Sequence, residues 1–146
     1  MRQFDINETK TRLQLKGIRP SIQRLKIMEY LHHHVKDHPT AEDIYTALSP
    51  EIPTLSRATV YNTLHSFHHA GLVNCMNVDG LESHYDVLLE PHGHFRCHQC
   101  GRIFDFPVSI ENLQVKGLEK FQIDHRNVIF TGLCPECLNQ SEKGDK

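Results

Sequence analysis

The sequence predicts an α+β fold in two parts: an N-terminal winged helix-turn-helix domain, then a small α/β domain stapled by paired cysteines. Three observations predict it. Helical stretches with capping signals fill the first half and run straight into a hairpin signal at Asp79-Gly80. Two close cysteine pairs, Cys97-x-x-Cys100 and Cys134-x-x-Cys137, sit in the C-terminal part. Between the two parts, Leu88-Leu-Glu-Pro91 reads as a connector, after which the pattern turns to short strands.

The elements follow in order. Residues 5–16 form a short amphipathic stretch with Leu13 and Leu15, stopped by Gly17. Ser21 caps the next helix, whose buried face is Ile22, Leu25, Ile27, Met28 and Leu31. Thr40-Ala-Glu-Asp43 is a near capping box opening a third helix through Leu48, with Ala41, Ile44, Tyr45 and Leu48 inside. Pro50 and Pro53 make residues 49–55 a loop. Ser56 caps a fourth helix from Arg57 to Ala70, closed by Gly71, with Val60, Leu64 and Phe67 on one buried stripe.

Strand-like runs 72–78 and 81–87 then form the hairpin. A short helix, a turn and a second helix with a polar start, followed by a hairpin, is the winged helix-turn-helix pattern. Such a second helix enters the DNA major groove by its N-terminal end. Arg57 and Asn62 suit base edges, while Ser56, Thr59 and Tyr61 suit phosphates. Arg19 and Arg24 are candidate phosphate or minor-groove contacts. They belong to a stretch, 1–36, with eight basic residues against three acidic. The whole chain of 146 residues has a net charge of -2, so this footprint is local.

After the connector come strand-like runs 95–97 and 103–106, a helical run 110–120 and a strand 128–131. This part is too small to be secure on its own core and needs a staple or a partner. Four thiolates from two short-spaced pairs complete the closed tetrahedral shell that structural zinc prefers. The competing reading is two disulfides or buried free thiols. Paired short-spaced cysteines in a protein of a reducing compartment favour the metal. Dimerisation through the strands is the expected partner. The organisation is therefore 1–87 for the winged-helix DNA-binding domain, 88–91 for the connector, 92–138 for a zinc-stapled dimerisation domain and 139–146 for a frayed polar tail.

A second constellation precedes the first cysteine pair. In His92-Gly93-His94 both imidazoles point to one face of a strand. Asp105 lies in the next strand, Asp86 ends the wing, and His38 precedes Pro39 before the third helix. Imidazoles with carboxylates suit Fe(II), Mn(II), Co(II) or Zn(II). The remaining histidines have plainer roles: His32, His33 and His34 at a helix end, His65, His68 and His69 on a solvated helix face, and His98 pointing outward between zinc ligands. Cys75, the odd cysteine, reads as a small buried hydrophobe. No stretch could span a bilayer and the N-terminus has no apolar signal region, so a cytoplasmic protein with no membrane partner is expected.

Several strings together resemble the ferric uptake regulator family. They are His38-Pro-Thr-Ala-Glu-Asp-Ile-Tyr45, Ser56-Arg-Ala-Thr-Val-Tyr-Asn-Thr-Leu64, His84-Tyr-Asp86, His92-Gly-His-Phe-Arg-Cys-His-Gln-Cys-Gly101 and Cys134-Pro-Glu-Cys137. The resemblance runs from about residue 10 to 138. Asp86, Asp105 and Asn62 are similar to the peroxide-sensing branch, where iron sensors usually carry Glu at the first two and often Arg at the third. The resemblance implies a regulatory Fe2+ or Mn2+ site of His38, Asp86, His92, His94 and Asp105, with structural Zn2+ on the four cysteines. A further metal site of iron sensors is not matched at Pro91 and Gly93, and Glu111 and His125 would be its remnants.

The implied function is a homodimeric, metal-dependent repressor of a near-palindromic double-stranded operator, and not an enzyme. It would sense peroxide when Fe(II) directs oxidation of His38 or His92. One alternative is a sensor of iron, manganese or zinc level in the same fold. In another class stands a non-haem metal enzyme using His92, His94 and Asp105 as a facial triad. Against it, the chain has no large pocket-building domain. A zinc-stapled module that binds only protein is the third.

Overall fold

The computed structural model describes residues 3–77, 82–87, 92–109, 115–123 and 126–144. The chain divides into two units, Met1–Leu89 and Glu90–Lys146.

The first unit holds helices α1 (Ile6–Leu15), α2 (Ile22–His33), α3 (Ala41–Leu48) and α4 (Arg57–His69), then strands β1 (Asn74–Met76) and β2 (His84–Asp86). The caps explain the boundaries. Asp5 accepts from the N–H groups of Asn7 and Glu8, Ser21 from Arg24 and Ser56 from Thr59. Thr40 and Asp43 exchange both bonds of a full capping box. Helices α1 and α4 both end in a Schellman turn. Ile18 N–H reaches Leu13 O and Gly17 N–H reaches Gln14 O, and Leu72 and Gly71 repeat the pattern on Phe67 and His68. Gly17 and Gly71 supply the left-handed φ of +73° and +75° those turns require.

The core of this unit is a cluster around Leu13, Ile27, Leu31, Ile44, Val60, Leu64 and Phe67, all fully buried. Two expected core positions are exposed instead: Leu15 and Ile22. Leu15 is two residues from Leu13, and i, i+2 positions do not share a helix face. Ile22 is the first residue of α2 and is 75% exposed, at the end of the stripe that Leu25 and Met28 continue inward. The wing pairs β1 with β2 antiparallel, Asn74 opposite Asp86 and Met76 opposite His84. Its strands are shorter than expected, and the Asp79-Gly80 turn and the 88–91 connector lie outside the described residues.

The second unit holds β3 (His92–Cys97), β4 (Ile103–Pro107), β5 (Ile129–Gly132) and α5 (Pro135–Gly144). Its sheet has the order β4-β3-β5, with β4 antiparallel and β5 parallel to the central strand. Two expectations fail here. The helical run 110–120 is not helical where it is described, from residue 115 on; residues 110–114 lie outside the described set. Gly117 sits at φ +96° and its N–H bonds the Glu119 carboxylate, which commits this stretch to a turn. The tail expected to fray beyond Leu138 continues in α5 through Gly144, and residues 145–146 lie outside the described set. Pro135, preset for a first helical position, starts that helix.

Candidate metal centres and nucleic-acid interface

The four cysteine sulfurs of the two pairs lie within 4.8 Å of one another, with Cys100 and Cys134 Sγ 3.9 Å apart. A tetrahedron of Zn–S bonds of ~2.3 Å has edges of about 3.8 Å, so this donor set fits zinc and is too open for S–S bonds. The backbone builds the cradle. Gly101, at φ +76°, turns the first knuckle and donates its N–H to Cys97 O. Cys134 N–H points at Cys97 Sγ at 3.4 Å, tying one knuckle to the other.

The thiols respond oppositely. The N–H groups of Cys100 and then Cys134 draw the Cys97 thiol down to about 5. Burial first, and then the other sulfurs, push Cys137 up to about 12. Four thiolates this close repel one another, and a cation among them removes the conflict. These sulfurs are also the core of the second unit: its buried apolar cluster among the described residues is Cys97, Cys134 and Cys137, flanked by Phe95, Phe104 and Leu133.

His92 and His94 alternate with Cys97 on β3, so the imidazoles and that sulfur emerge on opposite faces of one sheet. The two Nε2 atoms are 3.0 Å apart, and His94 Nε2 is 3.3 Å from Asp105 Oδ1. Two nitrogens bound cis to one ion at ~2.1 Å lie about 3.0 Å apart, so the pair fits a shared octahedral-type ion. Register supports the trio, because His94 is the cross-strand partner of Asp105.

His38 and Asp86 are both in the first unit. An isolated bridge pairs Thr40 with His84, and Tyr85 N–H donates to Pro39 O. Continuing that antiparallel register sets His38 opposite Asp86. His84 Nδ1 donates to His38 O at 2.7 Å, and Asn74 Nδ2 to Asp86 Oδ1 at 3.3 Å. Both candidate ligands are buried, 2% and 1% exposed. His38 has φ +48°, the sole non-glycine with positive φ among the described residues, directly before a proline that disfavours it. Such local strain marks functional positions.

The start of α4 carries the candidate DNA contacts. Ser56 Oγ and Thr59 Oγ1 are 2.8 Å apart within the cap. Tyr61 and Asn62 project outward. Arg57 points to α3, its Nε and Nη2 each 3.0 Å from a Glu42 carboxylate oxygen. Arg19, Arg24 and Asn62 line one cleft of about 620 Å³ between the start of α2 and α4, where Arg24 Nη1 donates to Arg19 O.

Residues 15–131 match the Ferric uptake regulator family. The chain belongs to that family. It is 36% identical over 143 residues to the peroxide-responsive repressor PerR of Staphylococcus aureus, covering 94% of this chain and 95% of that one. Among solved structures it is similar to the Vibrio cholerae ferric uptake regulator, at 28% identity and a TM-score of 0.68, over 86% of this chain and 99% of that one. It is also similar to PerR from Streptococcus pyogenes, at 31% identity and a TM-score of 0.52, over 90% and 92%. Ferric uptake regulator family proteins are metal-responsive transcriptional regulators and not enzymes. No helix among the described residues is long and apolar enough to cross a membrane.

Three features of this family member escaped the sequence. Gly93 is fixed by Phe106, whose ring occupies the place a Cβ would take. Arg102 reaches Cys134 Sγ at 3.9 Å and Glu136 at 2.6 Å, setting a cation beside the thiolates. Glu42 holds Arg57. The Gly in HxH and the basic residue two after Cys100 were visible signals, while the Glu42–Arg57 pair spans 15 residues and left none. Glu111 lies outside the described residues, as does His125.

Proposed function

We propose that this chain is a homodimeric repressor that binds a near-palindromic operator in the cytoplasm and senses peroxide through its regulatory metal. The observation that carries the reading is the His92–His94–Asp105 trio, set back to back with the Cys₄ cluster on one strand. Likeness to PerR proteins supports the peroxide branch. Cys97, Cys100, Cys134 and Cys137 hold structural zinc. His38, Asp86, His92, His94 and Asp105 together hold Fe2+ or Mn2+. Fe(II) held by these residues would supply peroxide-reducing chemistry next to the His38 and His92 imidazoles.

The residues of the chain do the rest. An ion shared by His38 and Asp86 with His92, His94 and Asp105 would tie the winged helix to the dimerising unit. In a dimer that tie sets the separation of the two α4 helices, which read successive major grooves only when ~34 Å or a multiple apart. Metal binding thus shifts the population toward the DNA-competent form. An oxygen added to His38 or His92 removes a ligand and releases the operator. Exposed Val115, Leu118, Phe121, Ile123 and Phe130 in the second unit support self-association. Ser56, Thr59, Tyr61, Asn62, Arg19 and Arg24 form the DNA face, with Arg57 at its edge held by Glu42.

Selection from a random duplex pool with Mn(II)-loaded protein, followed by fluorescence anisotropy, tests the reading. A near-palindrome should emerge, and removing Mn(II) should weaken binding at least ~10-fold, a typical allosteric coupling. Asp105→Ala should lose that metal response and keep its zinc. Metal-independent binding, or no selected sequence, would refute it. The second reading, a sensor of metal level alone, is favoured by the fold likeness to the Vibrio cholerae regulator. It differs in predicting no response of Fe-loaded protein to brief peroxide.

A further inference from the structure

The Glu42–Arg57 pair joins the first turns of the two helices of the helix-turn-helix. Arg57 grips the carboxylate with two parallel bonds and lies over the Tyr45 ring, 4.4 Å from its centroid. Glu42 and Tyr45 are three apart on α3 and so present one face to it. Neither helix needs the pair to close its end, because Thr40 with Asp43 caps α3 and Ser56 caps α4. A cation in the first turn of α4 is itself unfavourable toward the helix dipole. The two side chains are 61% and 46% exposed, so even with two parallel bonds the pair adds only modestly to stability. The pair is thus a modest bridge between α3 and α4, and it lies at the N-terminal end of α4, where backbone phosphates approach a recognition helix.

We infer that Glu42 is a specificity-determining residue of the DNA face: it holds Arg57 in a fork and so suppresses sequence-independent attraction to phosphate. This rests on the DNA-binding reading above. A loose arginine at the positive end of α4 would attract any duplex through counterion release. With the guanidinium engaged by Glu42, discrimination is left to groups such as Asn62 that reach base edges. Glu42 acts through Arg57 and need not touch DNA.

The test is fluorescence anisotropy of zinc- and Mn(II)-loaded wild type, Glu42→Gln, Arg57→Gln and the double variant. Each meets the selected operator and a scrambled duplex of equal length over a series of salt concentrations. Glu42→Gln should bind the scrambled duplex about 5–10-fold more tightly at low salt, and its salt slope should steepen by about 0.9, one phosphate contact. Operator affinity should rise by a smaller factor, so the ratio of the two falls. In the Arg57→Gln background the Glu42 change should do nothing. An unchanged slope and scrambled affinity for Glu42→Gln would overturn the inference. So would the same gain persisting without Arg57, since the carboxylate would then repel phosphate directly. Wild type that binds neither duplex would instead sink the DNA-binding reading itself.

Discussion

Gly93 shows how one residue ties the sheet to the candidate regulatory ligands. It is the cross-strand partner of Phe106, whose ring lies over it and stacks on Phe130 at 5.3 Å. A methyl group there collides with the ring, so either the Phe106 ring or β3, with His92 and His94 on either side, must shift. Gly93→Ala is expected to cost about 1–3 kcal/mol, the range of overpacking. Urea unfolding checks the stability, and Mn(II) titration should show weakened binding. The HxH spacing was legible because strand side chains alternate. The reason for its central glycine was not, because the ring comes from another strand. The strained φ of His38 was equally hidden, since neither histidine nor the following proline predicts a left-handed turn.

At the scale of elements, what was local was legible. The caps Ser21, Thr40 and Ser56 and the stop at Gly71 follow from neighbours within four residues, and each lies where its pattern put it. Gly71→Ala forces a side chain into a left-handed conformation and should cost about 1 kcal/mol. Ser56→Ala removes the α4 cap and should cost about 1 kcal/mol. Chemical denaturation of each variant checks both, and in each the midpoint should shift with the slope unchanged. The run 110–120 misled because its apolar spacing fits a helix, while helices draw most of their stability from packing a face. From residue 115 on this run is exposed throughout, and Gly117 turns it aside. The parallel pairing of β3 with β5 was illegible for another reason: the partners are about 35 residues apart in sequence, with nothing local to join them.

At the scale of the molecule, the two units are held by different means. The first has an apolar core drawn from all four helices, whereas the buried cluster of the second is built on cysteine sulfur. A metal held by the four cysteines would contribute its binding free energy to the folding of the second unit. Removing zinc with a strong chelator under reducing conditions should abolish hydrogen-exchange protection in 92–107 and 129–137 and leave 25–67 protected. Protection retained in β3 and β5 would show that the sheet stands without its staple. The sequence carried this division in its cysteine spacing. It also carried the candidate ligands, though not the finding that thiolates and imidazoles use opposite faces of one strand.

The most direct test of the account is peptide mass spectrometry on Fe(II)-loaded protein after brief, low-dose peroxide, with Mn(II)-loaded protein alongside. One added oxygen on the peptide carrying His38 or His92, with iron only and together with loss of operator binding, is the expected result. Unmodified histidines and undiminished DNA binding in the Fe(II)-loaded protein would contradict it and leave a sensor of metal level.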